Sequence, residues 1–244
     1  MSDTLNKKHS PAAVIMKREL AAYFTSPVAY IVTPLFLIIA GITFFVFFFF
    51  QDRAELRNYF SLLPILLSFF IPALTMRLFA EEKRSGSIET LMTLPVSSVD
   101  VVMGKFWASL AFTSVMIAPT LVYALTASLF GSLDAAPVVC GYLGAVFLAA
   151  AFCSVGLFAS ASTKNQIVAF FIGWALCILL ALIDQFLLFL PARLANFLGY
   201  LSAGSHFTSV SRGIVDSRDL VYFVSLTAVF LTLTVKTIDS RRAA

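Results

Sequence analysis

The sequence predicts an all-α integral membrane protein with six transmembrane helices, framed by shorter helices at the two membrane surfaces. Three observations carry this. Sixty per cent of the 244 residues are hydrophobic, with a mean hydropathy of +0.94. Only 12% are charged, where a soluble domain carries about 25%. The apolar residues gather in runs of about 20, the length that crosses a bilayer core as a helix. Lipid is therefore the solvent for most of the chain. In water the run FFVFFFF, Phe44 to Phe50, would be an aggregation hazard.

The whole chain, 1–244, reads as one transmembrane domain, with apolar runs at about 28–50, 60–78, 106–130, 138–161, 166–190 and 220–236. A polar tail, Met1 to Ser10, precedes them. Next comes a helical stretch in which Met16, Leu20, Tyr23 and Phe24 form an imperfect apolar stripe beside Lys17 and Arg18. That pattern suits a helix lying in the membrane interface. The first run starts near Val28 and is too long for the apolar region of a signal peptide, so it is expected to stay as the first span.

Proline interrupts two spans, with Pro64 and Pro72 in the second and Pro119 in the third. Each removes a backbone hydrogen bond and is expected to kink its helix. Packing irregularity and a hinge are equally compatible with these positions. The fourth span is rich in small residues, among them Gly141, Gly144, Gly156 and Ser160. Small residues let helices approach closely, so this span is expected at the centre of the bundle. Asp184 in the fifth span lies about 27 Å along the helix from Gln166, near the far interface, where water is expected to reach it.

Between the second and third spans, MRLFAEEKRSGSIETLMTLPVSSVD (Met76 to Asp100) places seven ionisable residues inside an otherwise apolar chain. Glu81, Glu82, Lys83 and Arg84 lead to Ser85-Gly86, a turn signal. SIETLMTLP then reads as a short helix. Ser87 can cap it, Glu89 suits its first turn, and Ile88, Leu91 and Met92 share one face. Pro95 stops it. Ser97 and Asp100 form a capping-box variant that starts the third span. Two turns of helix cannot bury an apolar face alone, so this piece needs a partner surface or the bilayer; a solvated loop is the alternative. The residues from Pro191 to Leu220 are too many for a plain loop. Leu194, Phe197, Leu198 and Leu201 form a stripe there, and Arg212 and Asp216 are an i, i+4 pair if that piece is helical.

Orientation follows from the basic residues. Twelve of the 17 Lys and Arg fall on the side of the termini and the charged insert, and five (Arg53, Arg57, Arg193, Arg212 and Arg218) on the other. Both termini are thus expected in the cytoplasm. Catalytic signatures are absent: there is no Walker A, HExxH or GxSxG sequence. Cys140, Cys153 and Cys177 sit in apolar runs without metal spacing, and the two histidines, His9 and His206, are far apart. The scattered basic residues give no reason to expect nucleic acid as a partner. The scarcity of charge within the spans argues against a secondary transporter.

FAEEKRSGSIETLMTLPVS, with VVMGKF after it, resembles the segment between the second and third spans of ABC type-2 transporter permeases. Met16–Ile31 resembles the interfacial connecting helix of the same family. SHFTSVSRGIVDSRDLVYF, Ser205 to Phe223, is similar to the gliding-motility-associated permease subgroup. The resemblance implies a cytoplasmic coupling helix that contacts an ATPase subunit through Ser87, Ile88, Glu89, Thr90, Leu91, Met92 and Leu94. Glu81, Glu82, Lys83 and Arg84 are the charges beside it. It also implies two ATPase copies, which carry ATP and Mg, and a second permease half as homodimer or heterodimer. A periplasmic auxiliary protein is compatible with it, and the chain itself needs no cofactor or metal. The setting implied is the bacterial cytoplasmic membrane. Short outer re-entrant helices are expected around His206, Arg212, Asp216, Arg218 and Asp219. The alternative functions are a membrane scaffold that passes ATPase-driven movement to a periplasmic partner, or a secondary transporter.

Overall fold

The computed structural model describes residues 10–51, 56–87, 96–131, 134–186, 199–214 and 216–242. All regular structure among them is helical. The helices are α1 (Pro11–Thr25), α2 (Pro27–Gln51), α3 (Arg57–Thr75), α4 (Arg77–Ser85), α5 (Ser98–Ile117), α6 (Leu121–Phe130), α7 (Ala135–Ser162), α8 (Gln166–Phe186), α9 (Ala203–Ser211) and α10 (Ser217–Arg242).

Six helical stretches are long and apolar enough to cross a membrane: Pro27–Phe49, Arg57–Ser85, Ser98–Phe130, Ala135–Ser162, Gln166–Phe186 and Ser217–Ser240. They match the six apolar runs in order. Four of them, the second, third, fourth and sixth, are longer than hydropathy suggested. The second continues through α4, so the charged residues Glu81 to Arg84 stand on an extension of the span. The third begins at Ser98 and runs 33 residues, about 50 Å at 1.5 Å per residue. Hydropathy marks where lipid ends, and these helices continue past that point because other helices cover their flanks.

Ser97 caps α5 as expected, its hydroxyl accepting from Asp100 N at 3.1 Å and donating to Asp100 Oδ2 at 2.6 Å. Pro119 lies in a 3-10 turn, Ala118–Thr120, that separates α5 from α6. Pro34, Pro64 and Pro72 are accommodated inside α2 and α3. The break between α3 and α4 comes later, at Met76. There the hydroxyl of Ser160 on α7 enters the helix ladder. It accepts from Phe79 N at 3.0 Å and Ala80 N at 3.1 Å and donates to Met76 O at 2.7 Å. Ala80 N would otherwise donate to Met76 O, so a side chain inserted in the ladder accounts for the break between α3 and α4.

Helix α7 occupies the centre, packed against α3, α4, α5, α8, α9 and α10. Its small residues make that possible. A Cβ on Gly156 would lie 2.1 Å from Thr75 Oγ1, and one on Gly141 would lie 2.5 Å from the Phe60 ring. Helix α2 lies at the edge, held mainly by α3. Phe44 is buried and stacks on Tyr123 at 4.9 Å, while Phe45, Phe47 and Phe49 face outward. Only 17% of the α2 span is buried, against 61% of the second span. An apolar outer face of this size needs lipid or another chain against it.

Candidate functional site

Lys105 is the most unusual residue of the described structure: its side chain is completely buried. It sits on the first part of α5, next to Gly104. Glycine is required there because a Cβ would lie 2.8 Å from Ile15 Cβ and 2.9 Å from Ala12 O. This close approach lays α1 along α5, with Ile15 at Gly104 and Tyr23 stacked on Phe112 at 4.8 Å. Glu19, one turn from each, is thereby brought to Lys105.

The three ammonium donors of Lys105 are all used. They reach Glu19 Oε1 at 3.0 Å on α1, Glu82 Oε1 at 2.8 Å on α4, and Leu78 O at 2.9 Å on α4. The ammonium also lies 5.1 Å from the centre of the Phe79 ring, within cation–π range. Arg18 closes the rim, with contacts of 2.6 Å to Glu19 and 3.5 Å to Glu82. Two cations and two carboxylates therefore meet with no net charge. Burial alone would raise the Glu19 carboxyl, but Lys105 and Arg18 outweigh it and hold Glu19 below the usual carboxylate range.

A second set of contacts ties the same elements together. Arg77 donates to Ser26 Oγ at the α1–α2 junction and lies over the Tyr23 ring at 5.1 Å. Tyr23 donates from its hydroxyl to Leu74 O at 3.1 Å. Lys83 donates to Ala161 O in the last turn of α7, where the helix leaves carbonyls free and favours a cation. The ends of α1, α3, α4, α5 and α7 are thus fastened into one unit. Beside it, Glu19, Arg77, Glu81, Glu82, Ser85 and Ser87 line a cleft of about 320 Å³.

Several sequence expectations change here. The buried face of α1 is Ile15, Glu19 and Tyr23, continued by Ser26; of the expected stripe Met16, Leu20, Tyr23 and Phe24, Tyr23 lies on that face, Leu20 packs beside it and Phe24 does not. Met16 and Leu20 are half-buried, Phe24 is exposed, and Lys17 and Arg18 point outward. The face is set by the Gly104 notch and by Lys105, which together attract a glutamate that an apolar pattern passes over. Lys83 is buried and engaged, so it is not an open charge beside the insert; Glu81 and Arg84 are exposed. The Ser87 hydroxyl is turned back to Glu82 O at 3.4 Å and Ser85 Oγ at 2.9 Å. Ile88, Glu89, Thr90, Leu91, Met92 and Leu94 lie outside the described residues.

The remaining predicted residues are at the opposite end. His206, on α9, sits between Asp219 Oδ1 at 2.5 Å from Nδ1 and Tyr200 O at 3.3 Å from Nε2. The Arg212–Asp216 helical pair does not form. Helix α9 stops at Ser211, Gly213 turns with φ 88°, and Asp216 instead starts α10 by accepting from Arg218 N at 3.0 Å. Asp184 is less accessible than expected: its Oδ1 is buried, without a hydrogen bond, near Gly204 at the start of α9. Leu201 is exposed, and Leu194, Phe197 and Leu198 lie outside the described residues.

Sequence reasoning counted Lys105 only for orientation. The signal was present, since a lysine inside VVMGKFW must find a partner or leave the membrane. Ser160 carried no signal, because a serine in a small-residue helix looks like spacing.

Six membrane-length helices around a small-residue centre, with a charged extension at one end, define a multi-pass helical membrane subunit. The family described as "ABC-2 family transporter protein" matches residues 13–238, almost the whole chain. The chain belongs to this family of membrane transport subunits, whose members typically work with an ATPase subunit. No curated protein matches it.

Proposed function

We propose that this chain is the permease half of an ABC-2 transporter in the bacterial inner membrane, driven by a separate ATPase. The segment between Ser87 and Val96 contacts that ATPase, and ATP and Mg are bound there, on the partner. The observation that carries the reading is the Lys105 cluster. The segment leaves from α4 and returns through α5, and both helices are fixed to Lys105, Glu82 and Glu19. A displacement of the segment therefore passes to α1, α3 and α5 together. The exposed faces of α2 and α8 are where a second permease half pairs, giving two halves and two ATPases about a two-fold axis. Cytoplasmic termini are part of this reading, supported by the excess of basic residues on the side of the Lys105 cluster. The resemblance of the Ser205–Phe223 stretch supports membership of the gliding-motility-associated subgroup as part of the same proposal.

The test is purification of the intact complex in mild detergent. Ile88→Asp with Leu91→Asp puts charges into the proposed contact. Truncating interface anchors often costs about 2 kcal/mol or more, and an unpaired buried charge is at least as costly. The double variant is expected to insert and dimerise yet lose its ATPase. Retention of the ATPase with full stimulated hydrolysis would overturn this reading.

A further inference from the structure

We propose that His206 and Asp219 form a proton-dependent latch that ties the short helix α9 to the start of α10. The inference is separate from ATPase coupling and stands on the local geometry.

Both ring nitrogens of His206 face acceptors: Nδ1 faces Asp219 Oδ1 at 2.5 Å and Nε2 faces Tyr200 O at 3.3 Å. A neutral imidazole carries one N–H. With Asp219 ionised, it leaves one nitrogen lone pair directed at an oxygen lone pair. Both contacts are satisfied only if the pair holds one more proton. That proton sits on the ring, as imidazolium beside carboxylate, or on Asp219, whose O–H then donates to Nδ1 while Nε2–H donates to Tyr200 O. The two arrangements contain the same number of protons, so the proton belongs to the pair.

The surroundings make the latch consequential. Asp219 is buried, and its Oδ2 has no hydrogen-bond partner. His206 stacks on Tyr222 at 4.2 Å, and Tyr222 donates from its hydroxyl to Leu201 O at 2.7 Å. One histidine thus joins the turn at Tyr200, the helix α9 and the first turns of α10. The site is open to solvent, at the edge of a cleft of about 920 Å³ that His206, Asp216, Arg218, Asp219, Tyr200 and Tyr222 help to line.

Other titratable groups lie around α9 among the described residues. Helix α10 contributes Asp216, which caps its own helix, and Arg218. Helix α8 contributes Asp184, at Gly204. Helix α7 contributes Tyr142, bonded to Thr120. Helix α3 contributes Tyr59, against Tyr123, and the exposed Arg57. His206 alone bridges two elements through both of its polar atoms. With the extra proton bound, α9 is held to α10; when the pH rises and the proton leaves, one of the two contacts is lost and α9 loosens.

The experiment uses the full chain in nanodiscs with 15N-labelled histidine. The sequence holds only His9 and His206, so each resonance is assigned with a His9→Gln variant. Ring protonation is read from the 15N shifts between pH 5 and 9, and backbone exchange in α9 is followed over the same range. The expected result is loss of the pair's proton together with about a tenfold or greater loss of α9 protection, the scale of a hydrogen bond to a charged group. Asp219→Asn and His206→Gln are expected to show low protection that no longer depends on pH. The proposal is overturned if α9 protection in the natural sequence is independent of pH. It is also overturned if the pH dependence survives both substitutions and disappears in Asp184→Asn. The titration of the natural sequence decides the matter even if a variant fails to fold.

Discussion

The ammonium of Lys105 bridges Glu19 Oε1 at 3.0 Å and Glu82 Oε1 at 2.8 Å, joining two helices that are far apart in sequence. Removing one partner of a buried charge group typically costs about 3–5 kcal/mol, because the others are left uncompensated. Lys105→Met is expected to lower the thermal stability of the purified protein by an amount in that range. A triple change, Lys105→Met with Glu19→Gln and Glu82→Gln, is expected to recover much of it. Equal stability of Lys105→Met and the unaltered protein would show that the cluster contributes nothing.

The same cluster has a pH signature. Glu19 is held below the usual carboxylate range, so its stabilising contribution is fully present above about pH 4.3, the unperturbed glutamate value. The contribution is lost as the pH falls through the lower folded value. Acid unfolding is therefore expected to be shallower in Glu19→Gln than in the unaltered chain. Superimposable profiles of midpoint against pH would remove Glu19 from the account.

Ser160 satisfies two buried N–H groups and one carbonyl at the Met76 break. Leaving a buried polar group unsatisfied costs about 1–3 kcal/mol. Ser160→Ala is expected either to destabilise by that amount or to let Ala80 N return to Met76 O, closing the break and shifting α4 against α7. Cysteine pairs across α4 and α7, read by pulsed electron-spin resonance, distinguish the two outcomes. Unchanged distance together with unchanged stability would contradict the role assigned to Ser160.

Gly156 meets Thr75 with no room for a methyl group. Gly156→Ala is expected to cost about 1–3 kcal/mol through overpacking. Adding Thr75→Ala removes Oγ1 and is expected to restore part of it, a positive coupling in the double-mutant cycle. Additive losses would mean that α3 and α7 separate freely at this point.

The spans were legible because lipid imposes one rule on every residue it touches. The fourth span was placed at the centre correctly for the same kind of reason, since Gly141, Gly144 and Gly156 have no other use in an apolar helix. The cap at Ser97 was legible because it is local. On α1 the stripe caught Tyr23 and Leu20 but not the full buried face. Ile15, Glu19 and Tyr23 are chosen by Gly104 and Lys105, some 85 residues away, and no period in α1 announces it. The inserted hydroxyl of Ser160 was hidden likewise, because its partners are backbone atoms of another helix.

Beyond the break at Met76, α4 stands as a short arm at the end of the second span. Its nine residues extend about 13 Å from Met76 to the turn at Gly86. A movement of about 2 Å at the tip, a typical shift for a helix at an interface, corresponds to a rotation of about 10° at its base. On α7 the arm is held at two points, the Ser160 hydroxyl at its base and the Ala161 carbonyl that accepts from Lys83 nearer its tip. The Lys105 ammonium, midway along the arm, shares in the same rotation and passes it sideways to α5 and α1. A displacement of ångström size applied at that tip would thus be divided between the middle of the bundle, at Ser160 and Ala161, and its edge, through Lys105.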